Sequence, residues 1–213
     1  MDNLTFICFR EELFGNNERL MALIDKFSSF AGSKMLTFES NVPLDTTLVR
    51  GAEIIAQLQK RGLNSASLTG ADLDCMRGSE DGVARVDASM FKLLLAQDIA
   101  PVLLPLSHDT EAHYISSKHT DVATQAAIAL SWHYNVTLIM CDDELDAKLK
   151  TIIDTRELSE IQYNSITLEQ HFNDETLNAL FGALNMGLQR VIVVAADNLG
   201  TVNAISLTIE GNL

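Results

Sequence analysis

The feature that most constrains the fold of this chain is a regular alternation of short apolar runs with amphipathic helical patterns. The apolar runs predict strands at 5–9, 34–40, 65–70, 99–107, 136–143, 190–197 and 203–209. The helical patterns lie at 17–32, 48–62, 86–98, 119–134 and 174–189. Strands and helices that alternate in this way form a mostly parallel sheet covered on both faces. We therefore predict one domain over residues 1–213, a three-layer αβα sandwich with a mostly parallel central sheet.

Two details of the helical patterns can be checked directly. In the first pattern, Leu20, Leu23, Ile24 and Phe27 fall on one face, which is expected to be buried. In the second, Gly62 stands where a glycine commonly ends a helix.

The composition excludes several classes of partner. A formal net charge of −14 opposes binding to nucleic acid and to anionic membranes. No apolar run approaches the roughly 18 residues that a membrane helix needs, and the first residues lack the basic segment of a signal peptide. Cys8, Cys75 and Cys141 are odd in number and widely spaced, so we expect reduced thiols in the core of a cytoplasmic protein.

The first strand runs directly into charge, at the sheet edge where α/β proteins usually hold ligands. Arg10 follows it and is either an anion clamp or the partner of a nearby glutamate (Glu11, Glu12 or Glu39). Asp142 opens an acidic run, 142–146, that is typical of a solvated loop but could also hold a metal or a polar ligand.

Other residues have a structural reading that competes with a functional one. Asp121 either binds a ligand or complements the dipole of a helix first turn. Gly70 and Asp72 predict a turn. The histidines at 108, 113, 119 and 133 lack the spacing of metal ligands, so no metal site is expected. Trp132, at a helix end, is expected to pack against the protein.

Four segments in order resemble the amino-acid kinase family, and within it the acetylglutamate kinases. They are RGLNSASLTGAD (61–72), GVARVDASMFKLLLAQDIAPVLLPLSHD (82–109), HTDVATQAAIALSWHYNVTLIMCDD (119–143) and ALFGALNMGLQRVIVV (179–194). The third is similar to the family's N-x-N-A-D helix, with Ser117 and His119 in place of the asparagines and Asp121 retained. The resemblance implies the carbamate-kinase-like αβα fold and ATP-dependent phosphorylation of a carboxylate in arginine biosynthesis.

The residues that handle phosphate in that family are replaced here. Cys8 falls on the lysine of the family's K-x-G-G, and Arg10 and Glu11 fall on its glycines. ESNV at 39–42 stands where the family has H-G-G-G, and the second catalytic lysine would fall near Thr176. The stretch 42–49 leaves little room for the family's substrate lid. Phosphoryl transfer depends on positive charge and close backbone amides, so these changes predict its loss.

Three hypotheses follow from the resemblance. The chain has lost phosphoryl transfer and works as a metabolite-binding or regulatory protein, it is an inert subunit of a related kinase, or it is an active acylglutamate kinase. We favour loss of catalysis and expect no cofactor, since ATP and Mg²⁺ belong only to the active alternative, which would need Lys118, Lys148 or Lys150 near the phosphates. We expect a homo-oligomer, such as a dimer, and no catalytic residue. The candidate ligand-binding residues are Arg10, Gly70, Asp72, Ser117, His119, Asp121 and Asp142.

Overall fold

The computed structural model describes residues 1–79, 82–111, 113–116, 118–156, 161–163, 174–201 and 204–209. The strands in these ranges are β1 (Asn3–Phe9), β2 (Ser33–Phe38), β3 (Ser65–Leu68), β4 (Met76–Ser79), β5 (Gly82–Val86), β6 (Ala100–Leu103), β7 (Leu106–His108), β8 (Tyr114–Ser116), β9 (Asn135–Cys141), β10 (Ile161–Tyr163), β11 (Arg190–Val194) and β12 (Ile205–Ile209). The helices are α1 (Asn17–Ser29), α2 (Leu44–Lys60), α3 (Ser89–Ala96), α4 (His119–Ser131), α5 (Asp143–Arg156) and α6 (Glu175–Asn185).

The central sheet has the order β10-β12-β11-β9-β1-β2-β6-β3. Strand β1 lies in its middle and pairs in parallel with β2 and β9, so that Phe9 stands beside Phe38 and Cys141. Only the β11–β12 pairing is antiparallel among the described neighbours. The predicted mostly parallel central sheet is confirmed. Its consequence for function is that the carboxyl ends of β1, β2 and β9 meet at one edge.

The core lies on both faces of this sheet, as the predicted three layers require. Alternate residues of β1 point to opposite faces. Phe6 and Cys8 join the cluster beneath α3, α4, α5 and α6, whereas Ile7 and Phe9 join the cluster beneath α1 and α2. The expected apolar face of α1 is confirmed, because its four predicted residues are all buried.

The ends of α1 and α2 are set by local chemistry. The side chain of Asn16 accepts a hydrogen bond from the Arg19 amide and so caps α1. Gly62 has a φ of 77° just past the end of α2, and its amide donates to the carbonyl of Gln59. The prediction that Gly62 stops this helix is confirmed.

A second, smaller sheet was not predicted from the sequence. Its order is β5-β4-β7-β8. The single strand predicted over 99–107 is wrong in this respect, because the chain divides it into β6 in the central sheet and β7 in the small sheet. Pro105 lies between the two, and a proline cannot donate the ladder hydrogen bond that a continuous strand needs there.

The acidic run at 142–146 does not form the predicted solvated loop, so that prediction is wrong. Helix α5 begins there, because the carboxylate of Asp142 accepts a hydrogen bond from the Leu145 amide at 2.9 Å. Acidic residues in the first turn complement the helix dipole. Asp146 is buried at 4% exposure, and Leu149 is fully buried on the same helix.

The packing prediction for Trp132 is also wrong. Its side chain is 73% exposed. The residue lies just past the end of α4, beyond the stretch of helix that covers the sheet. The three cysteines follow the prediction, since all are buried and none forms a disulfide. Among the described residues, no helix combines the length and the apolar character needed to cross a membrane.

Candidate functional site

The candidate site lies at the carboxyl edge of the central sheet, where three neighbouring strands end. Arg10 follows β1, Glu39 follows β2 and Asp142 follows β9. Because β1 pairs with both other strands in parallel, these three residues come together although 132 positions separate Arg10 from Asp142. This is the edge at which parallel α/β sheets usually bind ligands.

Arg10 is held by three carboxylates. Its Nη1 donates to Asp142 Oδ2 at 3.0 Å, its Nε lies 2.7 Å from Glu39 Oε2, and its Nη2 donates to Glu12 Oε1 at 3.3 Å. Partial burial by itself would lower the pKa of Arg10, but the charges of the three carboxylates together raise it above its ordinary value. The interpretation of Arg10 as an ion-pair partner therefore agrees with this geometry, with Asp142 as an added partner and Glu11 bound elsewhere.

Glu11 and Glu39 also bind backbone amides at this edge. The amide of Glu11 donates to Glu39 Oε2 at 3.3 Å, and the amide of Asn41 donates to Glu11 Oε2 at 2.6 Å. Arg50 Nη1 donates to Glu11 Oε1 at 2.6 Å. Burial would raise the pKa of Glu11, but the hydrogen bonds from Arg50 and from the Asn41 amide lower it below its usual value. Two backbone amides of the loops after β1 and β2 are thus bound to the chain's own carboxylates.

Two clefts, each of about 180 Å³, open on either side of Arg10, Asp142 and Glu144, which line both. The first is also lined by Glu12, Leu13, Arg19, Cys141, Asp143 and Ala196. The second is also lined by Leu145, Lys148, Asp174 and Thr176.

The cations in these clefts are neutralised by the chain itself. Arg19 bonds Asp197 at 2.8 Å and Asp143 at 2.7 Å. Lys148 bonds Asp174, whose carboxylate also accepts from the Leu177 amide and so caps α6. The lining therefore offers acidic groups in excess over cations, which disfavours an anionic ligand.

Of the three lysines that an active kinase could use, only one lies in a described cleft. Lys148 lines the second cleft together with Thr176. Lys118 bonds the exposed Glu175, and Lys150 bonds Asp146 on its own helix.

The structure brings Arg10 and Asp142 together, and it places Gly70 and Asp72 elsewhere. Gly70 is packed against backbone, because a Cβ there would lie 2.3 Å from the carbonyl oxygen of Met76. Asp72 accepts hydrogen bonds from the amide and the hydroxyl of Thr69, which confirms the predicted turn. Neither Gly70 nor Asp72 lines either cleft.

The candidates near α4 are described only in part. Asp121 lies in the first turn of α4, as predicted, with its carboxylate against Gly82. His119 begins that helix. Ser117 lies outside the described residues. In the described part of the chain, no group of three or more His, Cys, Asp or Glu side chains could hold a metal ion.

Sequence reasoning missed two residues of the clefts, Arg19 and Asp174, and placed Glu144 only within an acidic run. Asp174 carried a usable signal, since an aspartate just before a helical pattern is a common cap. Arg19 carried none, because its partners Asp143 and Asp197 are far away in the chain.

Comparison with known proteins gives relatives of one kind, although no family model matches the chain. The acetylglutamate kinase of Parabacteroides distasonis is 26% identical, covering 93% of this chain and 96% of the relative. That of Bacteroides thetaiotaomicron is 25% identical, with 94% and 98% covered. That of Bacteroides fragilis (strain ATCC 25285) is 30% identical, with 70% and 63% covered. The predicted resemblance to acetylglutamate kinases is confirmed.

Solved structures support the fold. N-acetylglutamate synthase from Neisseria gonorrhoeae, complexed with coenzyme A and N-acetyl-glutamate, matches with a TM-score of 0.66 at 14% identity. The match covers 98% of this chain, which spans 60% of the synthase chain. An isopentenyl phosphate kinase matches with a TM-score of 0.58 at 9% identity, with 97% and 100% covered. The amino-acid-kinase-like fold predicted from the sequence is confirmed.

Proposed function

We propose that this acetylglutamate-kinase-like chain keeps the fold of its relatives but does not transfer phosphoryl groups. In this proposal it binds a small metabolite or a partner protein and acts as a regulatory or partner subunit. It needs no cofactor. Its place in arginine biosynthesis is inferred only from the names of its relatives.

One observation carries the proposal. The loops after β1 and β2 are the positions where the resemblance implies glycine amides around a phosphate. Here the amides of Glu11 and Asn41 bond to carboxylates of the same two loops. Each of these amides already donates to a carboxylate of the chain, so a phosphate would have to displace both carboxylates.

The charge at this edge supports the same conclusion. Cys8 stands where the resemblance implies a catalytic lysine, and its side chain is fully buried in the core. Burial first, and then the nearby Cys141, Glu39 and Asp142, raise the pKa of the Cys8 thiol well above its ordinary value. Arg10, two residues further on, is a cation, but it forms ion pairs with three carboxylates of the chain itself. One lost electrostatic donor typically lowers a rate by about 10²–10³, and several are missing here.

The first test is direct. Purified protein is mixed with ATP, Mg²⁺ and acetylglutamate, and ADP formation is followed. We expect no turnover, and in calorimetry no ATP affinity at or below a Kd of about 1 mM. Turnover or tighter ATP binding by the unchanged chain would refute the proposal and favour the active acylglutamate kinase.

A second test restores the residues that the resemblance implies. The quadruple variant carries Cys8→Lys, Arg10→Gly, Glu11→Gly and Glu39→His. We expect ADP to bind about tenfold more tightly, since each like charge removed near a phosphate is worth on the order of 1 kcal/mol. Because Cys8 is buried and Arg10 is paired with Asp142, urea denaturation of the quadruple variant and of a matched triple variant without Cys8→Lys checks folding before ADP binding is compared. Glu111→Gln, at an exposed position, is the control and should change nothing.

Self-association is part of the proposal and rests on the outer face of α2. Leu44, Leu48 and Val49 are 37%, 41% and 56% exposed there, so one helix supplies three exposed large apolar side chains. We expect sedimentation at micromolar concentration to give a mass above the 23.4 kDa of one chain. Leu48→Glu should lower that mass, whereas the neighbouring Glu53→Gln should not. A monomer at this concentration would contradict this expectation.

We also propose the cytoplasm as its compartment. The support is that Cys8, Cys75 and Cys141 form no disulfide, as is usual in a reducing environment. Fractionation of cells that make the protein tests this, and recovery outside the cytoplasm would exclude it.

A further inference from the structure

Helices α4 and α6 lie side by side on the face of the central sheet opposite to α1 and α2. At their starts, Lys118 Nζ lies 2.7 Å from Glu175 Oε2. Just past their ends, Gln189 Nε2 donates to Asn135 Oδ1 at 3.4 Å. The two helices therefore run in the same direction. Their starts lie at the carboxyl edge of the sheet and their ends at the opposite edge, where β9 and β11 begin.

The outer side of this helix pair carries no charge along most of its length. No Asp, Glu, Lys or Arg occurs at 122–134 or at 176–189. A helix on a protein surface usually carries charged side chains on its outer side. We call this outer side the α4–α6 face. The small or uncharged residues that keep at least part of their exposure there are Gln125, Ala129, Asn178, Ala179, Gly182 and Asn185.

Two large apolar side chains are exposed at one end of the face. Trp132 follows α4 and is 73% exposed, and Met186 follows α6 and is 59% exposed. Aromatic residues and methionine are enriched in protein interfaces, and charged residues are depleted at the interface core. The composition of the α4–α6 face is therefore that of an interface.

A glycine within α6 supports this interpretation. Glycine is unfavourable in the interior of a helix compared with alanine. A Cβ at Gly182 would meet no atom of the chain within 4 Å, so packing inside the chain does not require glycine there. The small residues at 129, 179 and 182 leave room for a large side chain that approaches from outside.

The two ends of the face carry opposite charges. Asp121 and Glu175 lie in the first turns of α4 and α6, with Lys118 paired to Glu175. Arg190 is exposed just past the end of α6. A second copy with its helices antiparallel to these would place its Arg190 beside the acidic starts. The same arrangement would place its Trp132 over the small residues, and by two-fold symmetry each contact would occur twice.

We propose that the α4–α6 face binds the same face of a second copy of this chain, with the helices antiparallel and Trp132 inside the contact. A net charge of −14 makes two copies repel each other, and the repulsion is weakest where the facing surfaces carry no charge. The α4–α6 face lies across the sheet from α2. The inference therefore goes beyond the proposed function and stands whether or not the outer face of α2 self-associates.

Fluorescence tests the contact directly, because Trp132 is the only tryptophan of the chain. The neutral quencher acrylamide is added to the protein at about 0.1 μM and at about 50 μM, which bracket a Kd of the order of 1 μM. We expect quenching to be weaker by about twofold or more at the higher concentration, since the centre of an interface excludes water. Emission should shift to shorter wavelength at the same time.

Gly182→Glu places a charge in the middle of the face and should restore full quenching at about 50 μM. Glutamate is a better helix former than glycine, so urea denaturation of the dilute variant should show no loss of stability. Ala22→Glu is the matched control, since it adds the same charge at an exposed position of α1, across the sheet. It should behave as the unchanged protein.

Leu48→Glu should also keep Trp132 protected, because α2 lies across the sheet from this face. Quenching of the unchanged protein as strong as that of Gly182→Glu at the higher concentration would overturn the inference. So would an equal loss of protection in Ala22→Glu. A sedimentation mass above one chain with Trp132 still fully quenched would also overturn it, and would leave the proposed association through α2 intact.

Discussion

The ion-pair cluster around Arg10 predicts a large and specific loss of stability when its cation is removed. In Arg10→Gln, Asp142 and Glu39 lose their cation while their side chains are only 4% and 13% exposed. Leaving a buried charge unpaired costs roughly 3–5 kcal/mol. Arg10 is 28% exposed, and Asp142 keeps its bond from the Leu145 amide. We therefore expect a loss of about 2–4 kcal/mol in the free energy of unfolding.

Urea denaturation measures this loss, with an unchanged m-value as the sign that only stability has changed. Glu12→Gln is the matched control, because the Glu12 side chain is 69% exposed and lies 3.3 Å from Arg10, so its loss should cost less than about 1 kcal/mol. The double variant Arg10→Gln with Asp142→Asn should cost less than the sum of the two single variants. An Arg10→Gln variant no less stable than the Glu12→Gln variant would refute the reasoning.

Three further predictions concern residues outside this pair. Gly70→Ala should destabilise the protein by about 2–3 kcal/mol, measured by urea denaturation, since its Cβ would lie 2.3 Å from the Met76 carbonyl oxygen. Gly182→Ala, at an open position of α6, should instead stabilise the protein by about 0.5–1 kcal/mol. Glu11→Gln should lower the free energy of unfolding by about 1 kcal/mol at neutral pH. Because the pKa of Glu11 is lowered in the folded protein, the full loss is expected above the usual carboxyl pKa, and it disappears as the pH falls through the folded-state pKa. Urea titrations at several pH values measure this loss. Cys8 and Cys141 should resist a thiol reagent in the folded protein, since both are at most 1% exposed, and rapid labelling of both would contradict their burial.

The layers of the fold could be predicted because each follows from local periodicity. The apolar period of about 3.6 residues in α1 reflects a helix buried on one face, and the short apolar runs of β1 and β9 reflect strands buried on both faces. Both patterns can be read from the sequence. The carboxyl-edge position of Arg10 and Asp142 also followed from strand direction alone. The resemblance supplied the order of the motifs.

The parts that could not be predicted depend on contacts between distant residues. The four strands of the small sheet are three to five residues long, which is too short for a periodic signal. Helix α5 begins with acidic residues that also suit a loop, and only the capping bond of Asp142 and the burial of Leu149 decide the matter. The pairing of Glu11 with the Asn41 amide spans 30 positions and depends on where two loops meet.

The loops after β1 and β2 each place a carboxylate against a backbone amide of the other loop. These contacts explain how the two amides can be satisfied with no bound anion. The Glu39 carboxylate reaches the Glu11 amide, and the Glu11 carboxylate reaches the Asn41 amide, so each loop supplies the anion that the other needs. These carboxylates are tethered, and an intramolecular group competes with a dissolved ligand at an effective concentration of the order of millimolar or higher. A phosphate must therefore overcome both that competition and the excess acidic charge of the clefts. The same contacts join the ends of β1 and β2, so displacing them also costs stability. In the proposed function this edge is therefore closed to phosphate, and the acidic lining of both clefts favours a ligand that carries positive charge.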